Sequence, residues 1–523
     1  MEPAHLVIAP LLTALVTAIL TLATRSSLSI QRALSLVGGV GYLVGVGVLY
    51  NAVQTDADGV IVYQLSDWAA PFGITLVADA LSVFMLGLAA LVSLAALAFS
   101  VRFISDYGQR VSYHPLYHLM MVGVTGSFLT GDIFNLFVWF EVMLMSSYVL
   151  VAFYSGKQHT RAALTYVVLN LLGSAVMLLA IGGLYATTGT LNMADMARRL
   201  ADHTAYGIDP APVLGLSAIL FTVFALKAGI APFQFWVPAA YRAAPAPVAA
   251  MLAGVVKKVG VYAIIRLYFT IFAAATLPAG LSLPGLSGTA FLDFFGPVFF
   301  IMAAASILLG GYGAVGRRTL DGMLAYSSIG QVGFILLPLA VAATVPEVRT
   351  LGIAAALIYS LNHGFAKALL FLASGVIERM TGTLEFANLG GLTERAPVLS
   401  GGFFLGALAL IGIPPLTGFF GKLLVFDTAA RAGADLALAV ALAGAILTIA
   451  YFSRAWNRGF WGDPVEILEQ PSGTLTVAVA ALALGVVVLG IGFDPVMDAA
   501  NAAAGAALDR AGYVEAVAPE VVQ

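Results

Sequence analysis

The chain contains no cysteine. That absence excludes thiolate-held iron–sulfur clusters, cysteine zinc sites, covalent haem attachment, thiol catalysis and structural disulfides together, and no cofactor is expected. Charge is scarce too: 10% of the 523 residues are Asp, Glu, Lys or Arg, against about 25% in an ordinary soluble domain. The formal net charge is −3 and no basic run occurs, so the electrostatic footprint of a nucleic-acid binder is missing. The N-terminal segment lacks a positively charged leader and a small-residue cleavage site. Met1 to Thr24 therefore reads as a first spanning helix rather than a signal peptide.

What remains is apolar. Hydrophobic residues make up 61% of the chain, with 55 glycines and a mean hydropathy of +0.98, more than any globular interior of this size buries. The expected fold class is an all-α polytopic membrane protein. Apolar runs of about 20 residues give fourteen expected spans, centred near residues 14, 43, 89, 121, 144, 175, 225, 260, 301, 331, 361, 413, 442 and 484. Three longer polar pieces interrupt them. Residues 54–70, with Val60 to Tyr63 between turn formers, suggest an extramembrane hairpin. Residues 191–212 carry Met193, Met196, Ala197 and Leu200 at the spacing of a short interfacial helix. The third is the tail after Asp494.

Sorting the basic residues by loop places thirteen Lys and Arg on one side and six on the other, which by the positive-inside rule puts both termini away from the cytoplasm. The other five are Lys227, Lys257, Lys258, Lys367 and Lys422, and each falls inside an expected span. Only Lys157 of the six lysines lies in a loop, while the arginines sit in loops or near span ends, with Arg266 the ambiguous case. Arginine keeps its proton under all accessible conditions, whereas a desolvated lysine releases it readily. Lysine inside and arginine outside is the distribution expected of groups that cycle a proton.

Other features cluster with these lysines. Glu141 sits in mid-span among large apolar residues, where a carboxylate must be protonated or paired. Asp79 lies about a turn into the third span and reads as interfacial. Span 7 runs Lys227-Ala-Gly-Ile-Ala-Pro-Phe-Gln-Phe-Trp-Val-Pro238, and Gly229, Pro232 and Pro238 cannot share one unbroken helix. Span 12 repeats the device with Gly412-Ile-Pro414-Pro415-Leu-Thr-Gly418, followed by Lys422. Helices broken at membrane depth mark transport sites, and two of them five spans apart suggest two inverted five-helix repeats. The chain then divides into residues 1–110 (spans 1–3), 111–275 (first repeat), 290–456 (second, inverted repeat) and 457–523 (last span and tail). In span 8, Lys257 and Lys258 diverge by about 100° on a helix, so at most one is expected to face a shared polar path. In span 11, His363 and Lys367 share one face. Gly311, Gly313 and Gly316 fit a dinucleotide-binding pattern, but they follow a long apolar helix and open no βαβ unit.

The stretch from Lys227 through Trp236-Val-Pro-Ala-Ala-Tyr241-Arg to Val248, with Lys258-Val-Gly-Val-Tyr-Ala-Ile-Ile-Arg266, resembles the antiporter-like subunits shared by respiratory complex I, membrane-bound hydrogenases and Mrp-type multisubunit Na+/H+ antiporters. Phe-Val-Trp-Phe-Glu141 and Gly-Ile-Pro-Pro-Leu-Thr-Gly-Phe-Phe-Gly-Lys422 extend the likeness over most of the chain. Complex I relatives typically carry histidines in the broken span 7, where this chain has Gln234 and Tyr241; its form and length resemble the D-subunit family of the Mrp antiporters. One departure is Lys257, where the family usually has threonine.

The resemblance implies a role for each residue. Glu141 and Lys227 form a buried pair, Lys258 passes protons inward, His363 and Lys367 bridge the halves, and Lys422 gates the far exit. It implies a secondary transporter component rather than an enzyme, exchanging Na+ (K+ as a second candidate) for H+ in a bacterial cell membrane, with other membrane subunits as partners. The alternative it leaves open is a proton-pumping membrane-arm subunit of a complex I-like or hydrogenase-type redox enzyme.

Overall fold

The computed structural model describes residues 2–277, 288–470 and 472–519. Both chain ends, and most of the junction expected between residues 275 and 290, lie outside them. Two long helices open the chain, α1 (Pro3–Ala23) and α2 (Leu28–Thr55). An antiparallel pair follows, β1 (Val60–Gln64) and β2 (Thr75–Asp79), in register Val60 to Asp79. The expected hairpin is thus present, but its second strand lies beyond residue 70. Next come α3 (Ala80–Phe103), α4 (His114–Leu129), α5 (Ile133–Val151) and α6 (Lys157–Thr188). The short α7 (Met193–Ala201) buries Met193, Met196, Ala197 and Leu200, as their spacing requires. Asn192 caps it, and Asp195 pairs with Arg198 and Arg199.

The central helices are α8 (Pro210–Ala228), α9 (Trp236–Ala243), α10 (Ala246–Ala274, with π-helical turns at Leu252–Val256 and Ile265–Ile271), α11 (Phe291–Gly316), α12 (Leu320–Thr344) and α13 (Arg349–Thr381). After them run α14 (Pro397–Ile411), α15 (Thr417–Arg431), α16 (Asp435–Ala455), α17 (Gly473–Ile491), α18 (Phe493–Leu508) and α19 (Arg510–Val517). The tail after Asp494 is therefore helical as far as Val517, and α18 presses Ala500, Ala503, Ala504 and Ala507 inward, packing on α3 and α13.

Twelve helices among the described residues are long and apolar enough to cross a membrane. The expected centre at 121 falls on the shorter α4, and the one at 413 falls between α14 and α15. Burial is layered. α10 and α13 are enclosed along their whole apolar windows and α12 nearly so, whereas α1, α2, α16 and α17 turn most of theirs outward. Lipid accepts that outward face because its side chains are apolar, such as Val37, Val40 and Val44 on α2.

Close helix approach explains the glycines at 311 and 313. A side chain on Gly311 would strike Leu447, and one on Gly313 would strike Tyr326, so these glycines serve helix contact. Asp79 corrects an expectation. Instead of sitting at an interface it is buried, caps α3 with a reciprocal bond to Ser82, and pairs with the buried Arg266 at 2.5 Å. Tyr513 of α19 covers the same guanidinium, 4.8 Å from its ring centre.

Candidate functional site

Both breaks expected in the spanning helices are present. The first lies between α8 and α9. Gly229 takes a left-handed turn (φ +70°) that a side chain would strain, and the chain resumes as helix at Trp236. Backbone groups at the break find protein partners: Leu226 O accepts from the Gly229 N–H (3.0 Å) and the Trp236 indole (2.7 Å), and Ala231 N–H donates to Ser306 Oγ on α11 (2.8 Å). Pro238 is not part of the interruption. It lies in the first turn of α9, where a missing N–H costs no helical bond.

The second break separates α14 from α15 around Gly412 (φ +95°), Pro414 and Pro415. Gly418 belongs to the first turn of α15, not to the interruption, and it is small because the Ala409 carbonyl occupies the space a side chain would need. Asn362 of α13 braces the gap, its amide donating to Ala409 O (3.4 Å) and its oxygen accepting from Thr417 (3.3 Å).

Five buried amines line the molecule between and around these breaks. Lys227, in the last turn of α8, donates to the Tyr166 hydroxyl of α6 at 3.2 Å, which in turn meets Ser147 Oγ at 3.0 Å. The rings of Phe140, Tyr166 and Trp236 stand 5.5 to 5.9 Å from its nitrogen, an aromatic box suited to a cation. Glu141 does not touch Lys227. Ser174 of α6 donates to its carboxylate, and the side chain is half-buried. The buried pair implied by resemblance is thus two separately held groups, because α6 offers each a nearer hydroxyl.

Lys257 and Lys258 depart from expectation as well, since both amines reach one polar cluster. Lys258 Nζ meets His363 Nδ1 at 2.6 Å, His363 Nε2 meets Ser328 Oγ at 3.3 Å, and Lys257 Nζ donates to Ser328 Oγ at 3.2 Å and to its carbonyl at 3.3 Å. Their side chains do diverge, but α12 and α13 flank α10 on two sides, and one polar side chain from each closes the arc. Lys367 donates to Ser327 Oγ (2.7 Å) and Leu324 O (3.0 Å). Ser327 donates onward to Tyr451 (2.8 Å), whose hydroxyl also receives Gln331 Nε2 (2.8 Å), and Tyr359 donates to the oxygen of that same Gln331. Lys422 donates to Ile411 O, the last carbonyl of α14, at 3.0 Å and lies 4.9 Å from the Phe334 ring.

Sequence reasoning missed α12. Ser327, Ser328 and Gln331 supply hydroxyl or amide partners in the middle of the lysine row, and Phe334 continues the same helix toward Lys422. The signal was there as Ser-Ser-Ile-Gly-Gln in the middle of an apolar run. None of the seven ion pairs among the described residues contains a lysine. Every buried amine is held by hydroxyls, imidazole, carbonyls or aromatic faces.

Comparison with known proteins places this arrangement. Residues 130–448 match the family model described as NADH:quinone oxidoreductase/Mrp antiporter, TM. The chain is 35% identical over 520 residues to the D subunit of the Na(+)/H(+) antiporter of Alkalihalophilus pseudofirmus, covering 99% of this chain and 100% of that protein. It is 35% identical over 449 residues to the N subunit of the NADH-quinone oxidoreductase of Desulforudis audaxviator, covering 82% of this chain and 84% of that one. Among solved structures, a chain of the Mrp complex from Dietzia superposes with a TM-score of 0.88 at 28% identity, covering 99% of this chain and 100% of that chain. The family model spans more than half of the chain and the D-subunit relative matches along nearly all of it, so the chain belongs to the D-subunit family of the Mrp antiporters, within the wider group it shares with complex I membrane subunits.

Proposed function

We propose that this chain is the proton-translocating subunit of a multisubunit Na+/H+ antiporter, a secondary transporter component working with other membrane subunits in the bacterial cell membrane. The observation that carries the reading is the row of five buried amines with no carboxylate partner among the described residues. A hydroxyl or imidazole accepts a hydrogen bond from an ammonium and donates one to a neutral amine, so such a site accommodates both protonation states. A carboxylate would hold the lysine in one.

In this reading protons enter by Glu141 and Lys227, pass Lys257, Lys258 and His363, move to Lys367 and leave beside Lys422. Ser174, Tyr166, Ser327, Ser328, Tyr451 and Gln331 carry the hydrogen bonds between. Residues 111–275 and 290–456 act as two inverted units, each with one broken helix, and both chain ends face away from the cytoplasm. The transported cation is Na+, with K+ as a competitor to be measured.

Lys422→Ala and Glu141→Ala are each expected to abolish Na+-induced pH changes in inverted membrane vesicles while the complex still assembles. Full antiport in both variants would overturn the proposal. The redox alternative draws on the 35% identity to a complex I membrane subunit, although that match covers less of the chain than the antiporter match. Purifying the native complex separates the two: antiporter subunits co-purify under the first reading, and quinone-reducing subunits under the second.

A further inference from the structure

Lys257 is the buried lysine to which the resemblance assigns no role, and its surroundings give it a definite task. Its amine lies in the first break, 3.3 Å from where a side-chain carbon on Gly229 would sit. From there three contacts lead to the neighbouring lysine: Lys257 Nζ to Ser328 Oγ (3.2 Å), Ser328 Oγ to His363 Nε2 (3.3 Å), and His363 Nδ1 to Lys258 Nζ (2.6 Å). All four residues are fully buried. The two ends of this wire are adjacent in sequence, so it forms a nearly closed ring through α10, α12 and α13.

The donor and acceptor inventory restricts what the ring can hold. With Lys258 charged, it donates to His363 Nδ1, the imidazole donates from Nε2 to Ser328 Oγ, and the serine hydroxyl donates to the lone pair of a neutral Lys257. With Lys257 charged, every bond reverses: Lys257 donates to Ser328 Oγ, the serine donates to His363 Nε2, and His363 Nδ1–H donates to a neutral Lys258. If both lysines are charged, a neutral imidazole and Lys257 both aim a hydrogen at Ser328 Oγ, and the serine hydrogen must turn out of the wire, which breaks the chain of bonds along which a proton passes. Like-charge repulsion between the two ammonium groups adds to that conflict, with no carboxylate in the ring to relieve it.

We infer that Lys257, Ser328, His363 and Lys258 form a relay holding at most one excess proton, which shuttles between two adjacent lysines by concerted reversal of the hydrogen bonds. The step balances. One N–H bond of Lys258 breaks as His363 Nδ1–H forms, His363 Nε2–H breaks as a new serine O–H forms, and the original serine O–H breaks as Lys257 N–H forms. One positive charge is present before and after, moved from the α13 side of α10 to the first break. This extra station rests on the proton-path reading above and gives the broken helix its own landing site between Lys227 and Lys258.

The test is a set of variants in the intact complex, assayed for Na+-driven proton movement in inverted vesicles, with assembly checked by co-purification. Lys257→Thr and Ser328→Ala are each expected to slow antiport by about tenfold, and the double variant to fall no further, because both cut the same wire. Ser328→Thr, which restores a hydroxyl, should recover most of the rate. Lys257→Arg is the decisive member: it keeps the cation and its donors but not the ability to release a proton, so it should be at least as slow as Lys257→Thr. Near-normal transport by Lys257→Arg, single variants within twofold of the parent, or losses that multiply in the double variant would each overturn the relay. Lys227→Met serves as the control for the underlying reading. If it transports normally the proton path itself fails, whereas if it is inactive and the Lys257–Ser328 cycle gives an overturning result, only the relay does.

Discussion

The two helix breaks use the same residue types but join their lysines to the backbone differently. At the first, Leu226 O near the end of α8 accepts two neutral donors, the Gly229 N–H and the Trp236 indole, and Lys227 turns away to a hydroxyl and three aromatic rings. At the second, the lysine is itself the cap, with Lys422 donating to the last carbonyl of α14. A helix C-terminus is a natural seat for a cation. Loss of a proton from Lys422 therefore also loosens a structural contact, whereas Lys227 can lose one without disturbing the ends of its helices. The first break is built to let a proton pass, and the second to couple its passage to helix position.

Substitutions at and beside the two breaks sharpen or break this contrast. The largest effect is expected at Gly418→Ala, whose side chain would occupy the place of the Ala409 carbonyl; a loss above about 4 kcal/mol should prevent recovery of the complex. Gly229→Ala, by contrast, meets only the side chains of Val237 and Lys257 and carries backbone strain of about 1–3 kcal/mol, so a complex with a lowered melting temperature should still be isolated. Equal behaviour of the two glycines would remove the asymmetry.

Next in size are the lysines. Lys422→Met and Lys227→Met should both be inactive in transport, but only Lys422→Met leaves a partly buried carbonyl, Ile411 O, without its lysine donor, a cost of about 1–2 kcal/mol. Thermal melting in detergent reads the difference, and equal melting temperatures would contradict it. Trp236→Phe removes one of the two donors to Leu226 O at the first break and should destabilise by a similar or smaller amount, about 1–2 kcal/mol, seen as a melting shift with assembly intact. The smallest effect is expected at Ser306→Ala, about 1 kcal/mol. It should speed hydrogen exchange around residues 229–235 while leaving residues 412–416 unchanged, and a uniform change at both breaks would show that the braces are not local.

Much of this was legible in the sequence because the membrane leaves few choices. Apolar runs of spanning length must be helical, and Gly229, Pro232, Pro414 and Pro415 cannot continue a helix. The amine row was visible because a lysine amid apolar residues has no bland surface role. The partners were harder to see. Asp79 and Arg266 meet across 187 residues of chain, and neither flanking segment signals the other. Ser327 and Ser328 escaped notice because a serine in a spanning helix commonly bonds only to its own backbone, so their letters do not distinguish a relay from a filler. The resemblance pairs Glu141 with Lys227, but each is held by a hydroxyl of α6, Ser174 for the carboxylate and Tyr166 for the amine, and no local pattern encodes which side chains touch.

Asp79 ends β2 and caps α3, Arg266 closes on it from the far end of α10, and Tyr513 of α19 lies over the guanidinium. In order of synthesis the aspartate comes first, the arginine 187 residues later and the tyrosine last of the three. The aspartate must therefore wait without its arginine while the helices between them are made, and the arginine then waits for its aromatic cover until α19 follows. Closure of this site is a late event in folding, when α19 comes back to seal what β2 and α3 began.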